Sequence, residues 1–411
     1  MSRLLLSALI AVASVAAVPG LSARLRPQRP SPGPVAAGPD GRELFAREWV
    51  PHASAGPGGD GLGPLFNDSS CVACHNQGGV GGAGPRAKNV RIVTPVGGTT
   101  PNGPPPMIGP SFVFHRFSTD PDFAAWAAKE GINAAPARGH VPDRLRGMNL
   151  GQGGFKQITE RNTTALFGAG PIDALPVAVL AEASVRRFPE YPEVIGRVGR
   201  GADGQVGRFG WKAQVGRLDE FVLTACAVEL GLQVPGKDQP KLPHKPEYTA
   251  PGLDLTADDC AALTEYVRRL PAPPRLEPAS GEHRNYLDGG AKAFAAVGCA
   301  VCHTPTLGDV AGIYSDLLLH DLGPALSDAG SSYGLFQPPS GDGKPRQVVA
   351  GAAEKATAGE WRTPPLWGVR DSAPYLHDGR ADTLDEAVAL HGGEGENSAA
   401  KYFDLKFPER L

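Results

Sequence analysis

The chain has 411 residues, a formal net charge of −3 and 41% hydrophobic residues, enough for ordinary cores in two domains or one large one. That charge argues against a nucleic-acid or membrane-surface role. Its 54 glycines and 41 prolines fall just short of a disorder signature, so the composition reads as a loop-rich globular protein.

Residues 1–23 read as a secretory signal. Arg3 supplies the charged start, Leu4 to Val18 the apolar core, and Leu21-Ser22-Ala23 a cleavage site. The rival reading is an uncleaved anchor, although the apolar run is short for a spanning helix. No later segment has the length and apolarity of a membrane span. Residues 24–40 are Pro-rich and read as a tether. A periplasmic or otherwise exported location follows, and it permits disulfides.

The first structural unit is expected over residues 41–274. Gly41-Arg42-Glu43-Leu44-Phe45 opens it, ahead of Cys71-Val72-Ala73-Cys74-His75. This is C-x-x-C-H, the sequence that attaches c-type haem. Two thiols three positions apart can reach the two vinyl groups of one haem, and the next residue offers an imidazole to the iron. A structural zinc site or a bare redox pair is the rival, but no further Cys cluster completes a zinc tetrahedron. Asn76 to Pro85 is Gly-rich and is expected to pack against the porphyrin. It is no phosphate loop, since Lys88 is not followed by Ser or Thr.

Two helices are expected later in this unit. One spans Leu218 to Leu230, with Leu218, Val222 and Cys226 on an apolar face. The other starts at Thr256, which can cap the Asp259 amide, and stops before Pro271, with Cys260, Leu263, Val267 and Leu270 on one face. A Cys226–Cys260 disulfide is one expectation. Two buried thiols that simply pack are the other.

Pro271-Ala272-Pro273-Pro274 marks the boundary to a second unit over 275–411. Gly290-Ala291-Lys292-Ala293-Phe294 precedes a second C-x-x-C-H, Cys299-Ala300-Val301-Cys302-His303. Chance would place roughly 0.002 such motifs in a chain with this many Cys and His, so two are no accident. Arg161-Asn162-Thr163-Thr164-Ala165-Leu166-Phe167-Gly168 matches Arg362-Thr363-Pro364-Pro365-Leu366-Trp367-Gly368 in shape, and each follows its haem motif. The chain therefore reads as a duplicated haem unit with an enlarged first copy. Extended β signal is scarce. The expected fold is mainly α, with two cytochrome c-like units. Thr383 at the N-cap and Glu386 at N3 open a last helix. They place Leu384, Ala387, Val388 and His391 on one face, expected to be buried.

Three C-terminal segments carry a resemblance: Trp361-Arg362-Thr363-Pro364-Pro365-Leu366-Trp367, Ala373-Pro374-Tyr375-Leu376-His377-Asp378-Gly379-Arg380, and Thr383-Leu384-Asp385-Glu386-Ala387-Val388. They resemble the C-terminal signature of the bacterial di-haem cytochrome c peroxidases. Tyr314 to Gly323 resembles another segment of that superfamily. Gly207 to Ala213 and the Gly-rich loop are similar to its di-haem oxidoreductase branch.

The resemblance implies that hydrogen peroxide, or another small oxidant, meets the N-terminal haem on His75. It implies that a small redox protein, a cytochrome c or a copper protein, supplies electrons through the haem on His303. His391, fourteen residues after His377, stands where the peroxidases place a Met ligand and the enzyme that matures methylamine dehydrogenase places a Tyr. His391 is thus expected as sixth ligand of the second iron. His320 and His377 are implied to lie near the haem, bonding propionates or fixing loops. The carbonyls of Ser372 and Pro374 match a calcium site.

The chain departs from the peroxidases after the first motif. No His lies between His75 and His115, and Arg91 stands where the relatives carry one. Either the first iron is open, or His115, Met107 or Met148 closes it. Asp173 is the candidate acid–base group, with Glu160 and Glu182 as alternatives. Trp211 is a candidate electron relay, weighed against plain core packing. Two other functions stay open: oxidation of an organic substrate or protein side chain, and non-enzymic electron transfer with both haems six-coordinate. Intact mass under denaturing conditions, after expression with a haem-attachment system, is expected to show two haems, one on Cys71/Cys74 and one on Cys299/Cys302. A mass with one haem or none overturns that expectation.

Overall fold

The computed structural model describes residues 38–53, 55–56, 58–96, 111–132, 147–149, 155–201, 203–274, 277–328, 356–406 and 410. The segment expected as a signal over 1–23, most of the segment expected as a tether over 24–40, and Met107 lie outside the described residues. Among the described residues no helix is long and apolar enough to cross a membrane. Pro39–Leu411 forms one unit by its internal contacts.

Helices predominate, linked by long loops and small sheets. Helix α1 (Gly41–Ala46) starts on Asp40, whose carboxylate accepts from the Arg42 amide at 2.9 Å. The short α2 (Cys71–Cys74) carries the first thiol pair. After α3 (Phe123–Lys129), α4 (Ala169–Ala174) and α5 (Val177–Ser184) come the two helices expected from periodicity. They are α6 (Leu218–Leu230) and α7 (Ala257–Arg268). Thr256 and Asp259 form the reciprocal capping box that opens α7. Leu218, Val222, Cys226 and Leu230 of α6 are buried in one core with Cys260, Leu263 and Val267 of α7. Phe45 of α1 joins the same core.

The second half begins with α8 (Gly281–Ala296), which leads into the 3-10 turn Cys299–Val301. Helix α9 (Leu384–Ala389) has its expected Thr383–Glu386 capping box. Helix α10 (Glu396–Asp404) follows. The apolar stripe expected on α9 is only partly realised. Ala387 is buried, Val388 and His391 are half-buried, but Leu384 is 47% exposed. The helix is six residues long, and its first turn projects into solvent before the chain turns inward.

One element escaped the sequence reading. Strands β2 (Val90–Val96), β3 (Phe112–Phe114), β5 (Gly147–Asn149) and β6 (Phe155–Arg161) form an antiparallel sheet in the order β3-β2-β6-β5. Val90 pairs with Arg161 and Val96 with Phe155. Such long-range pairing leaves no local trace, and Pro95 inside β2 argued against a strand. Val93 and Phe114 of this sheet share a second core with Phe123, Ala127, Ile132 and Leu242. Smaller pairs are β1 (Leu65–Phe66) with β4 (Phe117–Ser118), β7 (Thr306–Leu307) with β8 (Val310–Ala311), and β9 (Leu319–Asp321) with β10 (Glu360–Arg362).

The two repeated motifs share local geometry and meet. Gly168 and Gly368 are both left-handed, at φ 69° and 71°. A Cβ on Gly168 would sit 2.3 Å from the Trp367 ring, so only glycine permits this approach.

Cys226 and Cys260 correct the disulfide expectation, because both are free thiols buried in the α6–α7 core. Burial pushes Cys226 well above the ordinary thiol range and Cys260 up to about 11. Alkylation of the denatured, haem-loaded protein is expected to modify both thiols. Labelling that appears only after reduction would show a bridge instead.

Candidate functional site

The first site is a cavity beside α2. Cys71, Cys74 and His75 line it, with Phe45, Leu166, Phe221, Val222, Leu230, Leu263 and Val267 as its main apolar wall. His75 is fixed at both ends. Its amide donates to the Cys71 carbonyl at 2.9 Å, and its Nδ1 donates to the Gly82 carbonyl at 3.2 Å. A carbonyl only accepts, so the proton sits on Nδ1 and the lone pair on Nε2, as an iron ligand requires. Burial lowers the His75 pKa to about 4, against the pull of the Gly82 and Thr164 carbonyls, and keeps the ring neutral. The Gly-rich loop therefore acts by clamping His75. None of residues 76–85 lines the cavity.

The second site repeats this device. His303 donates from Nδ1 to the Tyr314 carbonyl at 3.0 Å, and burial lowers its pKa to about 4. His391 donates from Nδ1 to the Ala387 carbonyl at 2.7 Å, again leaving the lone pair on Nε2. Burial lowers the His391 pKa, and a charge on this ring would act on His303. Two protonated thiols and a neutral, oriented imidazole recur at each site, which is the donor set a haem would use.

His320 is not an iron ligand. Its Nε2 bonds Asp316 at 2.9 Å and its Nδ1 bonds Glu394 at 2.6 Å. Burial alone would lower its pKa, but the Asp316 and Glu394 carboxylates and the Cys302 sulfur hold it well above the usual imidazole range. Cys302, Asp316 and His320 are the one group of three metal-capable side chains brought together among the described residues. The imidazolium already satisfies the carboxylate there, which makes it a poor cation site. The Ser372 hydroxyl donates to the Val369 carbonyl at 3.0 Å.

Between the sites lies a buried polar junction. Arg161, at the end of β6 and on the cavity wall, makes two bonds to Asp328, at 2.6 and 2.9 Å. The two side chains are 4% and 1% exposed. Burial alone would raise the Asp328 pKa; Arg161 overrides it and holds the carboxyl well below the usual range. His377 lies 3.4 Å from Asp328 and stacks on Trp361 at 3.6 Å between ring centres. The Lys212 ammonium sits 3.4 Å from the centre of the Trp361 ring and donates to the Thr357, Ala358 and Glu360 carbonyls. Burial lowers the Lys212 pKa to about 7. His377 thus packs at the junction.

Trp211 lines the cavity, and its indole N–H donates to the Asn162 carbonyl at 2.9 Å. Its own carbonyl accepts from the Arg362 amide at 2.9 Å, so it touches both halves. The other acid–base candidates are displaced. Asp173 accepts from the Leu218 amide at 2.9 Å and pairs with Arg268 at 2.5 Å, which makes it a cap for α6 and not a cavity group. Glu160 accepts from Asn89 at 2.9 Å, and Glu182 is exposed on α5. Neither lines the cavity. His115 bonds the Val228 carbonyl through Nε2 at 2.8 Å, and Arg91 lies over the Phe114 ring. Met148 stands in β5, and its side chain lies outside the described residues.

The carboxylates that do line the cavity are Asp68 and Glu229. Asp68 pairs with Lys88. Glu229 accepts from the Asn67 amide nitrogen at 2.7 Å. The readable signal for Glu229 was its place on α6. Val222, Cys226 and Glu229 fall at i, i+4 and i+7, which puts a carboxylate in an apolar stripe.

Residues 249–411 match the family model described as "Di-haem oxidoreductase, putative peroxidase". Over these residues the chain is similar to the di-haem oxidoreductase family. The family implies haem cofactors and an oxidoreductase. No curated protein matches the chain. Among solved structures, hydrazine synthase from Kuenenia stuttgartiensis, pressurised with xenon, is 20% identical over 62% of this chain and 73% of that one, at a TM-score of 0.29. A MauG-like protein associated with microbial copper homeostasis is 15% identical over 58% of this chain and 90% of that one, at 0.26. Likenesses this distant carry no inference about this chain.

Replacing Asp328 with Asn is expected to cost about 3–5 kcal/mol in urea unfolding at neutral pH, because it strips the buried Arg161 charge of its carboxylate. The folded-state pKa of Asp328 is depressed. Its contribution is therefore fully present above about pH 4, the unfolded value, and lost as pH falls toward the depressed one. Parent and variant stabilities should converge in strong acid. Equal stability at pH 7 would contradict the assignment.

Proposed function

We propose that the protein is an exported di-haem c oxidoreductase that reduces hydrogen peroxide at the His75 site. Electrons come from a small redox protein, a cytochrome c or copper protein, through the His303 site. The overall change is H2O2 plus two protons and two electrons to two waters. The observation that supports this division is the difference between the two sites. Among the described residues, the cavity beside His75 is lined by no second imidazole and no thioether, whereas the second half offers His391, oriented by the Ala387 carbonyl, in addition to His303.

A haem held by Cys71, Cys74 and His75 supplies the redox-active iron. The surrounding residues have separate tasks. Gly82 holds the His75 ring in one orientation and one tautomer. The apolar wall keeps bulk water from the reacting oxygens. Asp68 is taken up by its ion pair with Lys88, whereas Glu229 accepts from the neutral Asn67 amide. Glu229 is therefore assigned to take a proton from one peroxide oxygen and return it to the leaving oxygen. Trp211, hydrogen-bonded to Asn162 and Arg362, offers a π-system between the cavity and the second half.

The test is steady-state peroxide turnover with a reduced cytochrome or copper protein as donor. Glu229→Gln is expected to lower turnover about 10²–10⁴-fold, the range for loss of a positioned acid–base group, while the ferric spectrum of the second haem stays unchanged. Parent-level turnover in that variant would remove Glu229 from the mechanism. Failure of the parent to turn over peroxide would favour an organic or protein substrate. A ferric protein that cyanide leaves unperturbed would favour a pure electron carrier.

A further inference from the structure

His391 lies beyond the end of α9, in a glycine-flanked turn with no helix of its own to hold it. Three residues later the Glu394 carboxylate, 15% exposed, makes contacts that reach two separate stretches of chain. Its Oε2 accepts from His320 Nδ1 at 2.6 Å and from the Ile195 amide at 2.9 Å. Its Oε1 accepts from the Asp321 amide at 3.2 Å. His320 continues to Asp316, whose amide donates to the Cys302 carbonyl at 3.0 Å. The turn also lies hard against the strand. Gly393 is left-handed at φ 54°, and a Cβ there would sit 2.3 Å from the Asp321 carbonyl oxygen. A hydrogen-bonded path thus runs from the backbone of the Cys302–His303 segment to the turn that carries His391.

Resting on the reading of His391 as sixth ligand of the second haem, we propose that Glu394 is the positioning residue that sets His391 opposite His303. The Asp316–His320–Glu394 bridge joins the segments bearing the two imidazoles, and β9 and the Ile195 loop anchor it from the side. Without the Glu394 carboxylate the turn keeps its glycines but loses three bonds to two other segments. The His391 imidazole is then held only by its own Nδ1 bond to Ala387. Outer groups that orient a metal ligand are worth about 10–100-fold in ligation.

The test is a cyanide titration of the ferric, haem-loaded protein, followed by its absorption spectrum. Two phases are expected: a tight one at the open His75 haem, which serves as an internal control of folding, and a weak one where cyanide must displace His391. Glu394→Ala should move the weak phase to about 10–100-fold lower cyanide and leave the tight phase in place. Glu394→Gln keeps the shape and one acceptor oxygen and should give a smaller shift. His391→Ala removes the competing ligand and should move the weak phase furthest. If His391→Ala moves the weak phase and Glu394→Ala does not, the positioning role is overturned and the ligand reading stands. If His391→Ala leaves the weak phase unmoved, the ligand reading falls and the positioning role falls with it. If Glu394→Ala disturbs both phases, Glu394→Gln decides: a shift confined to the weak phase supports the role, and parent-like titration overturns it.

Discussion

The structure depends on one buried charge pair, Arg161 with Asp328. Two full charges at most 4% exposed would be costly unless each satisfied the other, and the two-bond geometry does that. Arg161 belongs to the first half and ends β6 on the wall of the His75 cavity. Asp328 belongs to the second half, and His377 and Trp361 pack beside it. The pair therefore sets the register of the cavity wall against the segment that leads toward the second site. Lys212, over the Trp361 ring, ties Glu360 of β10 and the loop residues Thr357 and Ala358 just before it to the same point.

Around this junction the two sites use the same physical device. In each, an imidazole spends its Nδ1 proton on a backbone carbonyl: Gly82 for His75, Tyr314 for His303, and Ala387 for His391. Backbone carbonyls are rigid, uncharged acceptors, so they orient the ring without drawing it into the protonated state. Burial then keeps each ring neutral. His320 follows the opposite rule. Its partners are carboxylates, it is held as a cation, and it serves as a strut. Two buried histidines of the same half thus differ in role because one faces a dipole and the other faces charges.

Legibility followed the range of the interactions. Helices α6 and α7 were readable because a 3.6-residue stripe and a capping box are local features. The β2–β6 ladder was not, since its partners are separated by up to 71 positions and Pro95 interrupts the strand signal. Leu384 was placed on a buried face by periodicity alone, yet a helix of six residues presents little more than one turn, and that turn is exposed. Asp173 looked like a cavity acid because it follows the Leu166-Phe167-Gly168 turn. The structure spends both of its oxygens, on the α6 amide and on Arg268.

By itself the sequence determined the two C-x-x-C-H motifs, the main helices and the likeness of residues 249–411 to a di-haem family, because each of these is written in residue types at short spacing. Only the tertiary structure decided which carboxylates face the cavity, that Cys226 and Cys260 pack as thiols, that His320 is a strut, and that Glu394 bonds the segment behind His303 to the turn bearing His391. These are matters of which atoms a distant backbone brings within 3 Å. A side chain's chemistry is local, but its protonation, its partners and its exposure are set by neighbours from elsewhere in the chain.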